Sequence, residues 1–170
     1  MRRMRAAGDE KAPKGGHLVF WQGHELAAVP LSDELDTVPI ARMGREQSNT
    51  SLRFAETMIL KFYRKLQPGQ NPEIEIGRHL TEVARFTNVP ATLGAVEYVE
   101  PDGTRYALGI LQGYVRNQGE GWDYAVDTLN RMLSAAEVRA ETDVLQDTGF
   151  AAFLAQVRML GQRTAEMHRA

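Results

Sequence analysis

The sequence predicts an α+β fold in which hairpins build an antiparallel sheet, one short helix packs on it, and two long helices follow. Apolar side chains alternate with a period of two from Ser51 to Tyr63 around the turn Ala55-Glu56-Thr57. A second pair of strand-like runs, Leu93 to Val99 and Thr104 to Leu111, flanks the turn signal Pro101-Asp102-Gly103. Beyond Gly121 the apolar spacing changes to that of amphipathic helices.

Composition narrows the field of function. At 170 residues, 43% hydrophobic and 25% charged, the chain is long enough to bury a core in one domain or in a small domain with a cap. A formal net charge of -2 gives no reason to expect nucleic acid or an anionic membrane as partner. There is no cysteine, which excludes disulfides and thiolate metal sites and fits a reducing cytoplasm. No apolar run approaches the roughly 18 residues that a membrane span needs, and the N-terminus lacks the apolar stretch of a signal peptide. The expectation is a cytoplasmic protein.

Residues 1–16, with Gly8, Pro13, Gly15 and Gly16 and only Met1 and Met4 as large apolar side chains, are expected to form a disordered arm. His17 to Gln22 and Leu26 to Leu31, split by Gly23-His24, suggest a hairpin, and the acidic segment Ser32 to Gly44 reads as a connection into the next sheet. A polar loop, Glu46-Gln47-Ser48-Asn49-Thr50, precedes the 51–63 hairpin. There Leu52 and Phe54, then Met58, Leu60 and Phe62, face inward, which leaves Ile59, Lys61 and Tyr63 together on the opposite face. Asn71 followed by Pro72 marks a helix start, since asparagine caps and proline suits the first helical position. Ile76, Leu80, Val83 and Ala84 give that helix an apolar stripe, and Glu75, His79 and Glu82 line a neighbouring face. A glycine-containing loop from Gln112 to Gly121 leads into a helix carrying Trp122, Ala125, Val126, Leu129, Met132, Leu133 and Ala136. A last helix runs from Phe150 through Met167 with no stop signal, an expectation of a fold that continues past Ala170.

A lysine on a strand followed by a helical carboxylate is an arrangement that holds nucleotide phosphates in kinase-like small lobes. Lys61 is the candidate ammonium, with Glu75 as first choice and Glu82 as second choice for the acid that orients it. Taken alone, Lys61 is better explained as an edge lysine that blocks strand aggregation. Gln47, Ser48, Asn49 and Thr50 could cover phosphates with backbone N–H groups and hydroxyls, although the glycine-rich pattern of protein kinases and the Walker lysine motif are both absent. The four histidines, His17, His24, His79 and His168, lack metal-ligand spacing, and no Gly-x-Ser-x-Gly elbow occurs. No metal ligand and no catalytic residue is therefore assigned.

The stretches Glu46 to Ser51, Ile59 to Leu66, Pro72 to Arg78, Leu111 to Trp122 and Leu160 to His168 resemble, in order, the N-terminal half of bacterial maltokinases. These occur alone or fused to trehalose synthase. The resemblance implies an aminoglycoside-phosphotransferase-like fold and transfer of the γ-phosphoryl of ATP to maltose, giving maltose 1-phosphate for α-glucan synthesis. It implies that residues 17–44 form the N-terminal cap and 45–115 the nucleotide-binding small lobe, with 116–170 a linker and the first helices of a large lobe. Lys61 would hold the α and β phosphates, and the hinge Gln112 to Val115, including Tyr114, would read adenine through its backbone.

The chain departs from the family at one point of chemistry. Family members carry a His-x-Asp-type catalytic loop and a later metal-binding aspartate in the second lobe, whereas these four histidines are followed by Leu18, Glu25, Leu80 and Arg169. Maltose and Mg²⁺ are therefore expected only with the missing lobe, and the 170 residues alone are expected to be catalytically silent. The alternative is a noncatalytic interaction module that binds trehalose synthase or another glucan-synthesis partner.

Overall fold

Alternating strands from both ends of the first 113 residues merge into one sheet. The computed structural model describes residues 4, 6–12, 15–29, 38–44, 49–138 and 148–170. The chain divides into two compact units, Met1–Val115 and Arg116–Ala170. In the first lie β1 (Gly8–Lys11), β2 (His17–Gln22), β3 (Ile40–Arg42), β4 (Asn49–Phe54), β5 (Met58–Tyr63), β6 (Thr92–Val99) and β7 (Arg105–Gly113). They form a single antiparallel sheet in the order β1-β2-β6-β7-β5-β4-β3.

Cross-strand partners share a face, so the register assigns every side chain to one of two layers. Trp21, Ala95, Ile110, Lys61 and Ser51 make one continuous row across five strands, here termed the front. Gly94, Leu111, Leu60 and Leu52 make the neighbouring row on the back. The back carries the main core: Met58, Leu60, Leu93, Val96, Leu111 and Phe54 are buried beneath Met4 and Leu26, with Phe20, Val29 and Val38 packed alongside. Apolar residues before β3 thus seal one side of the sheet and leave Lys61 on the other.

Two expectations for the N-terminal region change. Residues 8–11, expected within a disordered arm, form β1 because they pair residue for residue with β2, Gly8 opposite Phe20 and Lys11 opposite His17. No hairpin turns at Gly23: His24–Ala28 is a 3₁₀ helix, and β2 pairs instead with β6. Gly23 permits this path. Its N–H donates to Leu93 O at 2.8 Å, and a Cβ there would lie 2.6 Å from Thr92 O. The 3₁₀ turn then drops Leu26, 1% exposed, into the back core.

Both sequence-marked hairpins form. The β4–β5 connection occupies residues 55–57, and Thr57 N–H closes it onto Phe54 O. The β6–β7 turn uses Gly103 at φ 90° with Thr104 N–H donating to Asp102 Oδ1 at 2.8 Å. Helix α1 (Pro72–Arg78) begins where Asn71 and Pro72 predict, and Asn71 Oδ1 accepts from Glu73 N–H at 2.9 Å and Ile74 N–H at 3.4 Å. Its expected apolar stripe does not hold: Leu80 is buried, but Ile76 is 57% and Val83 70% exposed. Ile76 belongs to the regular α-helical part, whereas Val83 closes a π-helical turn, His79–Val83, in which Ala84 N–H reaches back five residues to His79 O. The wider turn shifts Val83 out of the stripe, while Leu80 and Thr81 face inward.

The second unit contains α2 (Gly121–Val138) and α3 (Thr148–Met167), which meet where the Tyr124 and Phe153 rings lie 6.0 Å apart. Trp122, Leu129 and Leu133 on α2 and Leu154, Val157 and Leu160 on α3 are all exposed. Among the described residues no helix is long and apolar enough to cross a membrane.

Candidate functional site: a lysine held by a bridging carboxylate

The site begins with β5. Strand alternation brings Lys61 and Tyr63 to the front, and buried neighbours Ile110 and Ser51 flank the lysine stem in its cross-strand row. Opposite them, the Asn71 cap fixes the first turn of α1 and so fixes Glu73. Glu73 Oε1 accepts from Lys61 Nζ at 2.9 Å, and Oε2 accepts from Tyr63 Oη at 2.9 Å. One carboxylate therefore bridges two residues of the same strand. Burial, then the hydrogen bond to Glu73 and its charge, push the Tyr63 hydroxyl far above the ordinary tyrosine range. The phenol stays a neutral donor, and the ammonium and carboxylate balance each other. An ammonium carries three N–H donors, so two remain for a ligand once Glu73 has taken one.

Neither glutamate nominated from the sequence reaches the ammonium. Glu75 lies two positions beyond Glu73, about 200° around the helix, and lines a cavity of about 220 Å³ with Arg78, Arg105 and Glu97. Glu82 is engaged elsewhere, with His24 Nδ1 2.6 Å from its Oε2. The partner that sequence reasoning missed was marked by helical phase. Glu73 precedes buried Leu80 by seven positions, about two turns, so both lie on the sheet-facing side, whereas Glu75 does not.

The other nominated residues are divided among locations. Gln47 and Ser48 lie outside the described residues. Asn49 and Thr50, expected in a loop, open β4: Asn49 pairs with Tyr63 on the front and Thr50 with Phe62 on the back, so only Asn49 shares the Lys61 face. Gln112 lies on the front between Ile59 and Thr92. In the hinge segment, Gly113 N–H donates to Ala91 O at 2.9 Å and Tyr114 N–H to Thr57 O at 2.8 Å. Those two amides are committed within the protein, and an adenine meeting this stretch would have to use other backbone groups. The Tyr114 ring receives the Arg53 guanidinium at 5.3 Å from its centroid. Val115 is the last residue of the first unit and is 57% exposed.

A larger cleft of about 390 Å³ opens between Glu25, Ala28, Val29, Glu56, Thr57, Ala91, Leu93, Gly113 and Tyr114. It adjoins the back layer through Val29 and Leu93, and Lys61 is not in its lining. Size alone therefore does not make it the site. Among the described residues, no cluster of three histidine, aspartate or glutamate side chains could hold a metal ion.

No family model matches the chain. It is similar to a solved structure of a glucosamine kinase (crystal form B), with a TM-score of 0.50 and 20% identity over 95% of this chain. The fold is kinase-like. The likeness is to the kinase fold rather than to maltokinases in particular. This kinase-like chain spans 42% of the length of that glucosamine kinase.

Proposed function

We propose that the chain is the nucleotide-holding portion of an ATP-dependent sugar kinase, with maltose as acceptor and maltose 1-phosphate as product. The observation that carries this reading is the Lys61–Glu73–Tyr63 arrangement. A flexible lysine helps a polyphosphate only when its charge is aimed, and here a strand fixes the stem while a helical carboxylate fixes the tip. The ATP phosphates meet Lys61, and the nucleoside lies along the front face past Ile59 and Gln112 toward Tyr114. Glu73 takes the orienting role first given to Glu75 or Glu82.

Phosphoryl transfer also needs a group that orients the sugar hydroxyl, and no His-x-Asp loop occurs within these 170 residues. Mg²⁺ does not fit the described residues, which offer no carboxylate cluster, so no step is routed through a metal on this chain. The sugar and metal chemistry belong, in this reading, to a second lobe.

Titration of the chain with ATP tests the proposal. Lys61→Met is expected to weaken ATP binding at least about tenfold, or roughly 1.4 kcal/mol, with unchanged circular dichroism. Equal affinity for the variant would remove Lys61 from the site. The chain alone is expected to form no ADP from ATP and maltose in a coupled assay, and product formation would overturn the division of labour between lobes.

The exposed apolar side chains of α2 and α3 favour a second reading, a noncatalytic module that docks trehalose synthase or another glucan-synthesis partner. Saturable binding of trehalose synthase without any ATP affinity would support it over the first.

A further inference from the structure

We propose that His24 and Glu82 form a positioning clamp that ties the segment after β2 to the end of the rod made of α1 and its π-helical turn and thereby keeps Glu73 on Lys61. The inference rests on the phosphate-holding reading for its purpose, but its geometry stands by itself.

The rod needs such an anchor. Helix α1 is seven residues long and contains no buried residue, so its own packing holds it weakly. Its first turn is fixed by the Asn71 cap and by the bonds of Glu73. Its middle is fixed by Thr81, whose hydroxyl donates to Gly77 O at 2.8 Å and accepts from Thr92 N–H at 2.9 Å. At the far end both oxygens of Glu82 go to a single residue 58 positions away. Oε1 accepts from His24 N–H at 3.0 Å, and Oε2 lies 2.6 Å from His24 Nδ1.

Three local features serve this contact. The π-helical turn inserts one residue per turn relative to an α-helix and so changes the direction in which Glu82 points. Gly23 leaves room for the carboxylate, because a Cβ there would lie 3.0 Å from Glu82 Oε1. Glu82 is also shielded, its side chain only 25% exposed, so the bonds are less open to competition from water than a fully solvated pair. Strand β2 grips the same rod a second time, through Arg78 stacked 4.9 Å above the Trp21 ring. Glu25, 3.9 Å from His24 Nε2, faces the imidazole from its other side. A segment that touches neither Lys61 nor its partners thus sets the seat of the helix that holds them.

The test uses the chain with Glu82→Ala, Glu82→Gln and His24→Ala. Glutamine can accept from His24 N–H and bond the ring, so it preserves the clamp; alanine at 82 removes both bonds, and alanine at 24 removes the ring bond alone. Amide hydrogen exchange is read at residues 73–78 and across β4 to β7, alongside ATP titration. The expected result is at least tenfold faster exchange in α1 for Glu82→Ala, a smaller increase for His24→Ala, unchanged protection of the strands, and near-native behaviour of Glu82→Gln. ATP affinity should fall in the same order. Native exchange in α1 for both alanine variants overturns the clamp, and so does equal loss of protection in helix and strands. If the unaltered chain binds no ATP, the phosphate-holding reading fails, and the clamp is judged by exchange alone.

Discussion

Glu73 sets the chemistry of two neighbours at once, and its removal should separate them. Glu73→Gln keeps the shape of the bridge but deletes the charge. The Tyr63 hydroxyl is then expected to ionise at lower pH than in the native chain, yet still above an ordinary tyrosine, because burial is the larger cause of its shift. Ultraviolet titration of the phenolate checks this. The raised value also links to stability: the folded state holds the Tyr63 proton more tightly than the unfolded chain does, so this contribution is complete below about pH 10 and is lost as pH rises above it. Tyr63→Phe should accordingly show a shallower loss of stability above that pH in denaturant melts. The lysine itself was legible from alternation along residues 58–63. The acid was not, because the choice between Glu73 and Glu75 depends on which helix face meets the sheet, and the exposed Ile76 pointed to the wrong face.

Short elements in this protein depend on single residues at their ends. Asn71→Ala should cost about 1 kcal/mol, since two N–H groups of the first turn of α1 lose their acceptor, and should raise mobility at Glu73 in the same exchange experiment. Leu26→Ala should cost about 2–5 kcal/mol in thermal or denaturant unfolding, because Leu26 is 1% exposed within the back core. The β4–β5 and β6–β7 hairpins and the Asn71 start were legible, since turn and cap chemistry is local. The π-helical turn and the 3₁₀ helix were not. Leu26 to Val29 are apolar enough for a strand, and only the neighbouring β6 backbone and the Glu82 carboxylate turn them aside.

At the level of the whole molecule, the exposed apolar side chains of α2 and α3 should tolerate substitution. Leu133→Glu combined with Leu160→Glu places charge on two exposed apolar side chains and is expected to reduce self-association in light scattering. The unfolding midpoint should stay unchanged, because both substituted side chains are exposed. The β4–β5 and β6–β7 pairings within the sheet were legible from their turns. The membership of β1 and β2 in the main sheet was not, because strand pairing between residues far apart leaves no periodic mark in either partner. That pairing has a temporal consequence. His17 lies opposite Val99 and Gln22 opposite Gly94, so β2 meets β6 only after β3, β4, β5 and α1 have been synthesised. Until then the apolar residues Leu18, Val19, Phe20 and Trp21 have only β1 at their side and β6 still missing, a window in which a nascent-chain chaperone would find its target.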